Sequence, residues 1–160
     1  MNGIVTATSS DAEEILALYR TFLHEAADWN EYYPNEETIE FDLSRNALFV
    51  MKNDEGRIVA AISIDDDKEV EELPCWNREL EPGAEFSRLC VSRDMQNQGI
   101  AKAMIQYVFD VLRKEGDRSV HILVKTGHST ALSLYSAIGF KVVGECKLFD
   151  KDFVCMEIEL

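Results

Sequence analysis

Positive charge is scarce in this chain. Its 160 residues carry 16 Lys and Arg against 30 Asp and Glu, a formal net charge of −14. Nucleic acid and anionic lipid are held by clustered Lys and Arg, so this balance argues against both as partners. It suits a cationic ligand and, more simply, solubility. Long apolar runs are also missing, and none approaches the length of a membrane span. The start, "MNGIVTATSSDAEE", has no basic-then-apolar leader pattern. The four cysteines, Cys75, Cys90, Cys146 and Cys155, show no CxxC spacing, and Cys90 and Cys155 lie in apolar runs. Reduced, buried thiols are expected, as in a cytoplasmic protein, and no metal site is expected. Repeats and low-complexity segments are absent.

What is present points to a packed core. The chain is 46% hydrophobic with 8 Phe, 5 Tyr and 2 Trp, which excludes disorder and fits one domain over residues 1–160. "GIVTA" reads as a short strand. Ser9-Ser10-Asp11 supplies capping oxygens for a helix whose apolar residues, Ile15, Leu18, Tyr19 and Phe22, share one face, fading near Asp28. Pro34 breaks the chain before a second helix, "NEETIEFDLSR". "ALFVMK", "NDEG" and "RIVAAISI" form a hairpin with a Gly-containing turn. Residues 65 to 82 are acidic and irregular. "AEFSRLCV" is a fourth strand, followed by a long helix from about Gly99 to Glu115 that Gly116-Asp117 ends. "SVHILVK" is an almost wholly apolar strand, as expected when both sheet faces are covered. "HSTALSLYSAIGF" is a helix capped by Ser129 and closed by Gly139. Two last strands are joined by Asp150-Lys151-Asp152. The strand–helix–strand unit around the long helix requires a right-handed parallel crossover in a mixed sheet.

The informative stretch is Gln96-Asn97-Gln98-Gly99-Ile100-Ala101, where a polar loop becomes a helix. A helix start exposes unpaired N–H groups and the positive end of the helix dipole. Gly99 has no Cβ and Ala101 the smallest, so an anion such as a phosphate can come close to those amides. Gly near a helix start is common, and a plain structural role is as consistent with this stretch taken alone. No Gly-Lys-Ser/Thr follows, which excludes a P-loop. The single glycine far along the chain excludes a dinucleotide fingerprint. A coenzyme A pyrophosphate loop remains.

"LCVSRDMQNQGIAKAMI" resembles the acetyl-coenzyme A motif of the GNAT superfamily of N-acetyltransferases, R/Q-x-x-G-x-G/A after a strand, with Gln96, Gly99 and Ala101 in its defined positions. "HSTALSLYSAIGF" resembles the same family's second signature, N-x-x-A-x-x-L-Y-x-x-x-G-F, through Ala131, Leu134, Tyr135, Gly139 and Phe140. His128 stands where that signature has Asn, and the usual Pro of the strand-exit loop is absent. The resemblance implies an α/β fold with a GNAT-like mixed, mostly antiparallel central sheet, a splayed fourth and fifth strand, and helices on both faces.

It also implies acetyl-CoA as cofactor and direct transfer of acetyl to a primary amine of a small molecule or a protein. The cofactor would meet the Gln96, Asn97, Gln98, Gly99, Ile100 and Ala101 backbone, Lys102 (against a role as an ordinary exposed helix lysine), and the main chain of Leu89, Cys90 and Val91 along the splayed strand. Arg93 is a second nearby cation. A backbone N–H on that strand would polarise the thioester carbonyl. His128 would donate where Asn usually does; an exposed cap residue is the competing reading.

Tyr135 is the candidate acid for the leaving thiolate, against a role as core residue. Glu85, six residues before Val91, is the candidate base, against an ordinary strand glutamate or a water chain. His121 is read as a core or edge residue. Trp29, Tyr32, Tyr33 and Trp76 fall in the irregular segments, where packing competes with an aromatic box for a cation. The acceptor is expected to be an amine, cationic if the charge excess bears on it, and a homodimer is admissible. A module that binds acetyl-CoA without turnover is the alternative function.

Overall fold

A computed structural model describes residues 3–160. The strands are β1 (Ile4–Thr6), β2 (Leu48–Lys52), β3 (Ile58–Asp65), β4 (Gly83–Val91), β5 (Ser119–Lys125), β6 (Lys141–Leu148) and β7 (Lys151–Glu159). The helices are α1 (Ala12–Arg20), α2 (Glu36–Ser44), α3 (Lys68–Glu71), α4 (Ile100–Glu115) and α5 (Ser129–Ile138). The strands form one sheet in the order β1-β2-β3-β4-β5-β7-β6. Every neighbouring pair is antiparallel except β4–β5, the parallel pair made by the crossover through α4. The mixed, mostly antiparallel sheet expected from the sequence is therefore present.

The alternation of each strand assigns its side chains to two cores. Leu48, Val50, Ala61 and Cys90 pack with Ile15, Tyr19 and Ile39 under α1 and α2. Phe49, Ala60, Ile62, Val91 and Ile122 pack with Met104, Val108 and Leu112 of α4 and with Phe140 after α5. Helices thus cover both faces, which is why β2, β3 and β5 read as near-continuous apolar runs. Among the described residues no helix is long and apolar enough to cross a membrane.

Four boundaries differ from the sequence reading. The first helix stops at Arg20 rather than near Asp28, because the Thr21 hydroxyl donates to the Leu18 carbonyl at 2.7 Å and competes for the last turn. Residue 128, not Ser129, is the N-cap of α5, and it makes no side-chain capping bond. The final hairpin turns on Phe149-Asp150, at φ 55° and 59°, so Lys151 and Asp152 belong to β7. Two central residues with positive φ match the twist of the flanking strands better than a longer loop does. The acidic 65–82 stretch is not wholly irregular: Asp67 caps the short α3, and a 3-10 turn spans Arg78–Leu80.

Candidate active site

The site is opened by a disagreement between two strands. β4 pairs with β5 over Gly83–Glu85 against Ser119–His121. Beyond Glu85, β4 follows β3 and leaves β5, so its β5-facing edge has no strand partner. This is the splay expected from the sequence. Into the wedge opens a cavity of about 780 Å³, walled by β4, the ends of β5 and β7, α5, α2 and the loop after α1.

A bulge bends β4 at the same place. Ala61 pairs with Cys90 and Ser63 with Ser87, so two steps on β3 face three on β4, and Arg88 takes φ +51°. A left-handed backbone is costly for a residue with a side chain and persists only where its surroundings fix it. The fixing contacts are those of the guanidinium. Nη2 of Arg88 donates to both carboxylate oxygens of Asp42, at 3.0 and 2.9 Å. Nη1 donates to Tyr33 Oη at 2.8 Å and to Asp65 Oδ2 at 3.1 Å. Asp42 is fully buried and also accepts from the Ser63 hydroxyl and from Arg45. Asp65 is held below its ordinary value: burial opposes this, but the charge and hydrogen bond of Arg88 prevail.

Sequence reasoning missed this network. Its signals were a single arginine inside the apolar run of β4 and an aspartate on the covered face of α2.

Glu85 sits on the cavity wall. It is 5% exposed, and its Oε1 has no hydrogen-bond partner. Burial, then the charges of Asp65, Asp67 and Glu71, push its carboxyl well above the ordinary range, against the pull of Arg88. Tyr135 lines the same cavity from α5, its ring edge-on to Phe86 at 5.7 Å and to Phe140 at 5.8 Å. Burial raises its phenol far above the usual value, so it keeps its proton. His128 is half-buried on the cavity wall rather than an exposed cap, and burial lowers its ring pKa, favouring the neutral imidazole.

The cavity therefore brings Glu85, Leu89, His128 and Tyr135 together. Cys90 and Val91 turn their side chains into the two cores, leaving only main chain towards the wedge. Burial pushes the Cys90 thiol up to about 12, which makes it inert.

The start of α4 follows from β4. Gly99 has φ +79° and Asn97 φ +63°, and no side chain caps the helix. No acidic residue lies in its first turn. A Cβ on Gly99 would meet nothing within 4 Å, so the space beside the helix start is open, and the first N–H groups of a helix lack intrahelical partners. Gln96 orients the loop by donating from Nε2 to the Val91 carbonyl at 3.1 Å. Asn97, Gln98 and Lys102 are exposed. Arg93 is committed elsewhere, to Glu25 and to the Thr21 carbonyl, which ties this loop to the end of α1. The site suits a ligand carrying an anionic group at one end and an extended chain that can pair with β4.

The aromatic residues do not form a box. Trp29 packs edge-on against Tyr19, Tyr32 is 82% exposed, Tyr33 serves Arg88, and Trp76 lies over His121 at 4.7 Å. His121 is buried and bonded to Glu71, as a core histidine.

Residues 6–160 match the family model described as acetyltransferase (GNAT) domain. N-acetyltransferase family 8 member 2 of Rattus norvegicus is 28% identical over 102 residues, 64% of this chain and 42% of that protein. The [ribosomal protein bS18]-alanine N-acetyltransferase of Escherichia coli is 30% identical over 57 residues, 36% of this chain and 38% of that protein. The chain thus spans less than half the length of these relatives.

Among solved structures, a phosphinothricin acetyltransferase from Sinorhizobium meliloti in complex with AcCoA superposes with a TM-score of 0.78 at 18% identity, covering 99% of this chain and 88% of that one. A putative acetyltransferase from Salmonella typhimurium with its cofactor acetyl-CoA gives 0.77 at 17%, covering 100% and 94%. These likenesses show a shared fold.

Proposed function

Because the chain belongs to the GNAT acetyltransferase family, we propose that it is an acetyl-CoA-dependent N-acetyltransferase acting on a primary amine. The observation that carries this reading is that an unpartnered buried carboxyl, Glu85, and a protonated phenol, Tyr135, line one cavity where β4 leaves β5.

The residues fit the cofactor. The uncapped start of α4, from Gly99 to Lys102, offers backbone N–H groups and a positive helix end to a pyrophosphate. Lys102 adds a charge from the first turn. The free edge of β4 at Leu89, Cys90 and Val91 offers main-chain donors and acceptors to a chain laid beside it. The bulge at Arg88 and Leu89 presents amides that polarise a carbonyl. His128 donates from a neutral ring in place of the usual amide. When bound, acetyl-CoA supplies the thioester whose acetyl group is transferred.

The chain's own groups move two protons. Glu85 accepts the proton that the amine nitrogen must lose before it forms its bond to carbon. A raised carboxyl pKa makes it a better base at neutral pH than an exposed glutamate. Tyr135 would give its proton to the departing sulfur and regain one from the nitrogen, which sheds its second proton as the amide forms.

The test is release of free thiol from acetyl-CoA in the presence of a panel of primary amines, with the acetylated amine identified by mass. Thiol release that needs an amine is the expected result. Cofactor binding without release under any amine would instead favour the non-catalytic module.

A further inference from the structure

The acceptor side of the cavity carries one carboxyl more than its guanidiniums can match. Arg88 is engaged by Asp42 and Asp65, and Arg45 by Asp42. Two cations thus face two carboxylates, and Glu85 is the third. It is 5% exposed, lines the cavity, and has an oxygen without a partner. Asp65 pairs with Glu85 across β3 and β4, and the chain continues along the same wall through Asp66 and Asp67.

Among the described residues no lysine of the wall forms an ion pair with Glu85, Asp66 or Asp67. Lys151 is tied to Asp28, donating to its carbonyl at 2.8 Å. Lys125 lies at the far end of β5, by His128. Lys68 is exposed on the wall beside Asp67 and forms no ion pair among the described residues. Asp66 is exposed, and Asp67 uses one oxygen to cap α3 and keeps the other. A buried unpaired carboxyl is costly to ionise without a counter-charge of its own, and Arg88, which draws on it, is already engaged by Asp42 and Asp65.

Building on the N-acetyltransferase reading, we propose that the acceptor is a diamine or polyamine, its reacting nitrogen bound at Glu85 and a second ammonium at Asp66 and Asp67. Glu85 lies across the strand pair from Asp65, and two residues of extended chain carry the wall from Asp65 to Asp67, about 7 Å, the scale of a short diaminoalkane. The reacting nitrogen arrives as an ammonium, supplies the counter-charge Glu85 lacks, and then gives Glu85 its proton.

The experiment compares three acceptors of equal length: 1,4-diaminobutane, butylamine and 4-aminobutanoate. The expected order of kcat/KM is diamine, then monoamine, then amino acid. The diamine should lead the monoamine by about tenfold at low salt and by less as ionic strength rises. The double variant Asp66→Asn, Asp67→Asn keeps the α3 cap, since Asn also caps helices, and should bring the diamine-to-monoamine ratio close to one. Equal kcat/KM for all three acceptors in the parent overturns the proposal and leaves acetyl transfer standing.

Calorimetric titration of 1,4-diaminobutane into the coenzyme A-loaded protein reads the same site without turnover. Binding that the double variant loses supports the proposal even if no acceptor is acetylated. Absence of binding and of transfer overturns it together with the reading it rests on.

Discussion

Arg88 and Asp42 meet through a single nitrogen, Nη2, which donates to both carboxylate oxygens at 3.0 and 2.9 Å in the buried interior of the protein. The pair joins the bulge of β4 to α2 and, through Tyr33, to the loop after α1. Removing one member of a buried pair strands the other, at a cost of about 3–5 kcal/mol. Arg88→Leu should lower the unfolding free energy from urea titration by that amount, and Arg88→Lys should restore only part of it, because an ammonium cannot reproduce the fork. A loss below about 1 kcal/mol, measured in both variants, would show that the network does not hold the bulge.

Glu85 should make stability depend on pH. Its carboxyl titrates well above the ordinary 4.5 in the folded chain, so the folded state binds its proton more tightly than the unfolded one. The contribution is therefore full below pH 4.5 and is lost as pH rises through the folded value. Glu85→Gln removes this slope. The Tm difference between variant and parent should move in the variant's favour from pH 4.5 towards neutrality. A difference that stays constant across that window contradicts the raised carboxyl.

The same carboxyl should govern catalysis from the acid side. In Glu85→Gln, kcat should fall by about 10²- to 10⁴-fold, and the acid limb of the pH–rate profile should disappear. A limb that survives unchanged assigns the base to water.

Tyr135→Phe keeps the ring contacts with Phe86 and Phe140 and removes only the hydroxyl. Fold and cofactor affinity should persist while turnover falls by about 10²-fold or more. Parental turnover under conditions where chemistry limits the rate would make Tyr135 a packing residue.

At the other end of the site, Gly99→Glu combines a strained φ of +79° with a negative charge at the helix start. Coenzyme A binding should be lost by calorimetry in a folded variant. His128→Ala should weaken binding by about 0.5–1.5 kcal/mol, and His128→Asn should not. Equal affinity in these three variants and the parent would remove both the loop and the imidazole from the cofactor's contacts.

Most of the frame was legible because it depends on local pattern. β5 was bounded to the residue by its apolar run, and α4 by its broad apolar face and Gly116, whose φ of +93° ends the helix. The start of α4 and the positions of Glu85 and Tyr135 were also visible. What escaped depends on distant partners. Arg88 reaches Asp42, Asp65 and Tyr33 across 46, 23 and 55 positions, and the bulge that aims it leaves no compositional mark. The burial of His128 had the same cause: nothing in "KTGHST" shows that the wedge wall lies against it. The end of α1 was missed for the opposite reason, a purely local competition by one threonine hydroxyl.

The splay has a consequence for dynamics. β4 is a central strand, the fourth of seven in the sheet order, and such strands normally hold the most protected amides. Past Glu85, however, the β5-facing amides of β4 have no strand partner. In the free protein, deuterium exchange along β4 should alternate between slow amides turned towards β3 and fast ones turned towards the wedge. A mid-sheet strand would then report, every second residue, the kinetics of a rim.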